Sequence, residues 1–193
     1  MKREYEGSRH TKETQIDLTL NLDKKDYKIN TGIGFFDHML ELFAHHGEFG
    51  LKINAKGDTH IDYHHLVEDT GIILGQAFYQ TAGDKKGIRR YGSITLPMDE
   101  VLVECVIDFG GRPYLSYGLE FNTPKCGDFD TELVEEFFRA FTNNAKINLH
   151  LIMRQGGNSH HTAEAAFKAC ARALRQALTI ESNKLMSTKG IIE

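Results

Sequence analysis

Two stretches of one form, His64-His65-Leu66-Val67-Glu68 and His160-His161-Thr162-Ala163-Glu164, decide how the rest of the chain is read. Each opens a run of helical apolar periodicity, Leu66 to Ala82 closed by Gly83, and about His161 to Leu178. The segments in front of them correspond as well. Asp37-His38-Met39-Leu40 precedes Phe43 and a strand; Glu135-Glu136-Phe137-Phe138 precedes Phe141 and the strand Leu149-His150-Leu151. The spacing from His38 to His64 nearly matches that from Glu136 to His160. The chain therefore reads as a duplicated unit, roughly residues 1–92 and 93–193. No low-complexity linker separates the copies, so they are expected to pack as one compact domain.

Period-two alternation predicts strands at Ile16-Leu18-Leu20-Leu22, Phe49-Leu51-Ile53-Ala55, Val101-Val103-Cys105-Ile107-Phe109 and Leu115-Tyr117-Leu119-Phe121. A helix is expected from Phe36 to His46, closed by Gly47. Another follows an N-cap at Asp130 or Thr131 and runs through Leu133, Phe137, Phe138 and Phe141. Strands in succession, then a helix, a strand and a second helix, give an α+β fold in which helices pack on antiparallel-rich sheets.

Composition narrows the function classes. The 193 residues carry 23 Lys and Arg against 27 Asp and Glu, and no basic stripe interrupts them, which argues against nucleic acid or an anionic membrane as partner. Met1 to Glu6 lacks the apolar core of a secretory signal, and no run approaches the roughly 20 apolar residues of a spanning helix, so a soluble cytoplasmic protein is expected. Cys105, Cys126 and Cys170 are odd in number and contain no Cys-x-x-Cys, as reduced structural thiols would be. A metal site here must use nitrogen and oxygen, which leaves Mn, Fe, Zn, Co and Ni open.

The repeated pattern supplies such donors. Neighbouring side chains on a helix point about 100° apart, whereas residues three or four apart share a face. His64 or His65 meets Glu68, and His160 or His161 meets Glu164, but the two histidines of a doublet diverge. Each doublet should therefore serve two metal centres. His38 and the equivalent Glu136 raise the set to eight donors, four per ion, leaving open positions on a six-coordinate metal. A cation at a helix N-terminus opposes the macrodipole by up to about 1 kcal/mol, which Glu68 and Glu164 offset. His45 and His46 are candidates for supporting or substrate contacts; His10, His60 and His150 have weaker claims.

Gly32-Ile33-Gly34-Phe35-Phe36-Asp37-His38-Met39-Leu40, the two His-His-x-x-Glu copies, Gly111-Arg112-Pro113-Tyr114 and Ser187-Thr188-Lys189-Gly190, in this order, resemble the imidazoleglycerol-phosphate dehydratase family of histidine biosynthesis. The resemblance covers essentially the whole chain. It implies a tandem duplication with a helical layer between two sheets, two Mn²⁺ per site held by His38, His64, His65, Glu68, Glu136, His160, His161 and Glu164, and a 24-subunit homo-oligomer with interfacial active sites. It further implies phosphate or substrate contacts from His46, Arg90, Arg112, Lys168, Ser187, Thr188 and Lys189. Arg9-His10-Thr11-Lys12-Glu13-Thr14 matches the family's opening motif, which makes Glu13 the substrate-facing carboxylate. Two positions depart from the pattern: Glu136 stands where many relatives have a histidine, and Thr188 replaces the middle of a Ser-Ser-Lys. Taken singly, Arg89-Arg90 would read as a solvated pair, Lys168 as a helix-surface charge and Glu13 as a loop carboxylate.

The reaction implied is loss of water from imidazoleglycerol phosphate to give imidazole acetol phosphate. Its obstacle is the weakly acidic hydrogen beside the imidazole. An imidazolate held between two Mn ions would lower that barrier, with Glu13 as acid/base worth about 10² to 10⁴-fold. Two rival readings use the same donors: a binuclear metal-dependent phosphohydrolase, and a non-catalytic assembly stapled by metal.

Overall fold

The chain is described from residue 2 to residue 192 by a computed structural model. Its first half runs β1 (Glu4–His10), β2 (Thr14–Asn21), β3 (Tyr27–Asn30), α1 (Gly34–Gly47), β4 (Gly50–Gly57) and α2 (His64–Thr81). The second repeats the plan as β5 (Tyr91–Met98), β6 (Val101–Asp108), β7 (Tyr114–Gly118), α3 (Leu133–Ala145), β10 (Asn148–Gln155) and α4 (Ser159–Ala177). A small hairpin, β8 (Lys125–Cys126) and β9 (Phe129–Asp130), is inserted before α3.

The two sheets have the same order, β1-β2-β4-β3 and β5-β6-β10-β7. In each, the last pairing is parallel and the others antiparallel. The alternation along β2 and β6 turns Ile16, Leu18, Leu20 and Val101, Val103, Cys105, Ile107 inward. These faces need cover, and the helices supply it: α2 lies on β1, β2 and β4, and α4 on β5 and β6. The helices then pair across the repeat, α1 with α4 and α2 with α3, and so form the layer between the sheets. This is the duplicated α+β architecture expected from the sequence. Buried Phe43, Phe49, Phe78, Phe137 and Phe141 interlock edge-to-face or stacked in that layer, each phenyl worth roughly 1.5–3 kcal/mol over exposure.

Gly71 and Gly75 let α2 and α3 approach closely. A Cβ on Gly75 would stand 2.5 Å from the Phe141 carbonyl oxygen, and one on Gly71 2.8 Å from that of Phe137. No helix among the described residues is long and apolar enough to cross a membrane.

Several local expectations change. Gly47 is the last residue of α1 and not its left-handed cap; Glu48 takes that role at φ 55°, donating to the Ala44 and His45 carbonyls. Gly47 is required instead by the Phe49 ring, whose Cε2 would lie 2.2 Å from an added Cβ. Neither Asp130 nor Thr131 caps α3. Asp130 pairs with Lys125, Thr131 Oγ1 donates to the Thr123 carbonyl, and the residue before the helix is Glu132. The strand expected to reach Phe121 stops at Gly118. Strands β1, β3 and β5 carry polar or half-exposed residues on both faces, and alternation does not reveal them.

Candidate active site

The pairing of α1 with α4 brings His38, His160 and Glu164 together. Asn158 caps α4, its Oδ1 accepting from the His160 backbone N–H at 2.8 Å, which sets the first turn. One turn apart, His160 Nε2 and Glu164 Oε1 are 3.1 Å from each other; His38 Nε2 is 3.0 Å from the same oxygen. The neighbouring Asp37 carboxylate accepts from Thr31 N and Oγ1, which ties the loop to the start of α1. Lys168, one turn beyond Glu164, donates from Nζ to Oε2 at 2.5 Å. Burial pushes the Glu164 carboxyl up, but Lys168 and His38 outweigh it and hold the pKa at about 2. The carboxylate is thus anionic, with Oε1 aimed at two imidazoles.

The doublets diverge as helix geometry requires. The rings of His64 and His65 are 6.1 Å apart at 87°, those of His160 and His161 6.4 Å apart at 83°. His65 Nδ1 lies 3.0 Å from Asp58 Oδ2, and its Nε2 is 4.0 Å from Glu13 Oε1. The His65 pKa is raised chiefly by its bond to Asp58. His161 Nδ1 lies 3.0 Å from Glu100 Oε2, and its Nε2 3.8 Å from Asp99 Oδ2. Two groups of three donor atoms form among the described residues, His38 with His160 and Glu164, and His161 with Asp99 and Glu100. His64, His65, Glu68 and Glu136 join neither. Reasoning from helix faces missed Asp58, Asp99 and Glu100, because they come from sheet ends; the acidic pair in the β5–β6 turn was the available signal.

Glu13 sits in the β1–β2 turn, which is fastened to α2. Thr11 Oγ1 accepts from the backbone N–H groups of Glu13 and Thr14, at 3.1 and 2.9 Å. Thr14 Oγ1 donates to Asp69 Oδ2 at 2.5 Å, and Arg9 Nε to Asp69 Oδ1 at 2.8 Å. Asp69 is 6% exposed and would be costly to bury unpaired. The Asp58 N–H holds the Glu13 carbonyl at 3.1 Å.

Arg90, Arg112, Ser187, Thr188 and Lys189 line one cavity of about 310 Å³. Within it the Arg90 guanidinium is engaged by both Asp108 oxygens, at 2.7 and 3.0 Å, and by the Met186 carbonyl at 2.7 Å. Lys168 lies apart from this cavity, on Glu164. His46 lines another, of about 290 Å³, with Arg172, Arg175 and Gln176. Burial first, and then the positive charge of Lys168, lower its pKa. A larger depression of about 510 Å³ on strands β1 to β4, among Glu6, Asp17, Lys28 and Lys52, shares no residue with these groups.

Residues 31–174, which hold the His38, doublet and Lys168 positions, match the family model described as imidazoleglycerol-phosphate dehydratase. The chain belongs to the imidazoleglycerol-phosphate dehydratase family. It is 53% identical over 188 residues to the imidazoleglycerol-phosphate dehydratase of Caldicellulosiruptor saccharolyticus, covering 97% of each chain. Against that of an Exiguobacterium species the identity is 54% over 193 residues, covering 99% of each. Among solved structures it resembles the enzyme of Staphylococcus aureus at TM-score 0.84 and 46% identity, covering 92% of this chain and 99% of that one. The Pyrococcus furiosus enzyme in complex with (S)-C348 gives TM-score 0.84 and 34% identity, over 96% and 99%. Membership makes the chain an enzyme of the dehydratase class.

Proposed function

We propose that the chain dehydrates imidazoleglycerol phosphate to imidazole acetol phosphate in histidine biosynthesis, using two divalent ions, Mn²⁺ in the first instance. The observation that carries the reading is the convergence of His38, His160 and Glu164. The two imidazole nitrogens lie 3.0 and 3.1 Å from Glu164 Oε1, close to the edge of an octahedron with metal–ligand bonds of about 2.1 Å, and the three donors are all within 4.8 Å of one another. Nitrogen and carboxylate oxygen suit such an ion. With Oε2 held by Lys168, Glu164 would offer such an ion Oε1. The other donors, His64, His65, Glu68, Glu136 and His161, would complete this centre and form the second; a carboxylate at Glu136 serves a hard cation as well as a histidine does. When bound, the ions supply Lewis acidity to the substrate's imidazole, making the neighbouring C–H hydrogen removable.

The chain's own groups do the rest. Glu13, with its carboxylate about half exposed at the rim beside His65, is placed to move the proton. Arg112, Ser187, Thr188 and Lys189 present donors of the kind a phosphate dianion needs, on a wall stiffened by the Arg90–Asp108 fork. Lys168 and His46 add positive charge and a donor from their own sites. Assembly into 24 subunits with interfacial sites fits the failure of His64, His65, Glu68 and Glu136 to join a donor group among the described residues. Exposed Tyr27, Ile61, Tyr91 and Tyr114 are further support. Three buried free cysteines fit a reducing, cytoplasmic setting.

The test is product identity. Chelator-stripped protein given Mn²⁺ and imidazoleglycerol phosphate is expected to yield the phosphorylated ketone. Release of inorganic phosphate instead would favour the phosphohydrolase; no metal-dependent product would refute both.

A further inference from the structure

We propose that Asp58 and Glu100 are positioning residues for the outer histidines of the two doublets, each accepting a hydrogen bond from Nδ1 and thereby presenting Nε2 as the metal-binding atom. The inference rests on the reading of His65 and His161 as ligands. Both bonds are 3.0 Å long. A carboxylate can only accept here, so the proton sits on Nδ1 and the lone pair of the neutral ring on Nε2. The carboxylates nearest Nε2, Glu13 at 4.0 Å and Asp99 at 3.8 Å, are beyond hydrogen-bonding reach. A carboxylate behind a ligating imidazole fixes its orientation and raises its basicity toward a cation.

The two bonds come from places that do not correspond. Asp58 follows β4, whereas the residue after β10 in the second copy is close to Gly156, which has no carboxylate. Glu100 reaches His161 from the β5–β6 turn. Neither carboxylate is available as a ligand in its own right on the side it uses for histidine. Glu100 is occupied at both oxygens, Oε1 accepting from the Asn158 N–H at 2.6 Å, so it also ties His161 to the residue that caps α4. Asp58 fixes His65 by its side chain and Glu13 by its backbone, coupling a proposed ligand to the proposed acid/base. Its carboxylate is 16% exposed against 48% for Glu100, so the charge at Asp58 is less screened and its removal should matter more.

Asp58→Asn and Glu100→Gln keep size and an accepting oxygen but remove the charge. The free-Mn²⁺ electron paramagnetic resonance signal, titrated against chelator-stripped protein, reads affinity without turnover. Both variants are expected to bind Mn²⁺ about 10 to 100-fold more weakly at one class of site, Asp58→Asn more than Glu100→Gln, while remaining folded by circular dichroism. His65→Ala and His161→Ala run alongside. If these lose Mn²⁺ while either carboxylate variant retains full affinity, the positioning role of that carboxylate is wrong. If the histidine variants bind normally, the ligand reading beneath it is wrong, and the proposal falls with it.

Discussion

Glu164 divides its two oxygens between different partners, Oε1 toward His38 and His160 and Oε2 toward Lys168, and that division brings three donors together at the α1–α4 seam. At the same scale, Glu13 depends on a buried anchor. Asp69→Ala would take the carboxylate from Arg9 and leave the Thr14 hydroxyl only Thr11 Oγ1 as a partner beneath the turn. We expect a loss of about 2–3 kcal/mol in urea unfolding, the value for a charged hydrogen-bonded group; Arg9 keeps a third of its side chain in water, which limits the cost. Glu13→Gln should leave stability and substrate binding near wild type while kcat falls by about 10² to 10⁴-fold. Near-normal turnover would remove Glu13 from the chemistry. Such residue roles were only partly legible. The divergence of His64 from His65, and of His160 from His161, follows from helix geometry and needs no tertiary information. Asp58, Asp99 and Glu100 reach the histidines from sheet turns, across 61 residues in the case of Glu100 and His161, and no local rule connects them.

At the scale of elements, α2 and α3 are held at a distance set by glycine. Alanine at position 75 would gain up to about 1 kcal/mol of helix propensity, but its Cβ would meet backbone atoms of α3 at 2.5 and 2.8 Å, which cannot rotate away. Overpacking of this kind costs about 1–3 kcal/mol, so the clash should win. Gly75→Ala is expected to lower the denaturation midpoint; a rise would mean that α3 slides freely on α2. Strands β2, β4 and β6 and helices α1 and α3 could be read from periodicity because each buries one face; α2 and α4 are buried nearly all round, between a sheet and a partner helix, and show themselves by long apolar and small-residue runs. Strand β1 could not, since its alternation runs only between exposed and half-buried positions. The ends of α1 and α3 were misread for a related reason: Gly47 answers to Phe49 and Thr131 to Thr123, both tertiary partners.

For the whole molecule, the duplication was legible and the exchange between copies was not. Each copy offers four donors and each doublet divides between two centres, but the sequence leaves open which donor joins which. Because α1 packs on α4 and α2 on α3, His38 of the first copy joins His160 and Glu164 of the second. Sequence repeats report what each copy contains; which helix faces which is settled by packing of the interior, and any assembly of chains lies further still from periodicity. The central claim is that this cross-copy cluster holds a divalent ion. Diffraction from Mn²⁺-loaded crystals at the manganese absorption edge tests it directly. An anomalous peak is expected within about 2.3 Å of His38 Nε2, His160 Nε2 and Glu164 Oε1. Active, Mn-loaded crystals with no peak between those three atoms would contradict it.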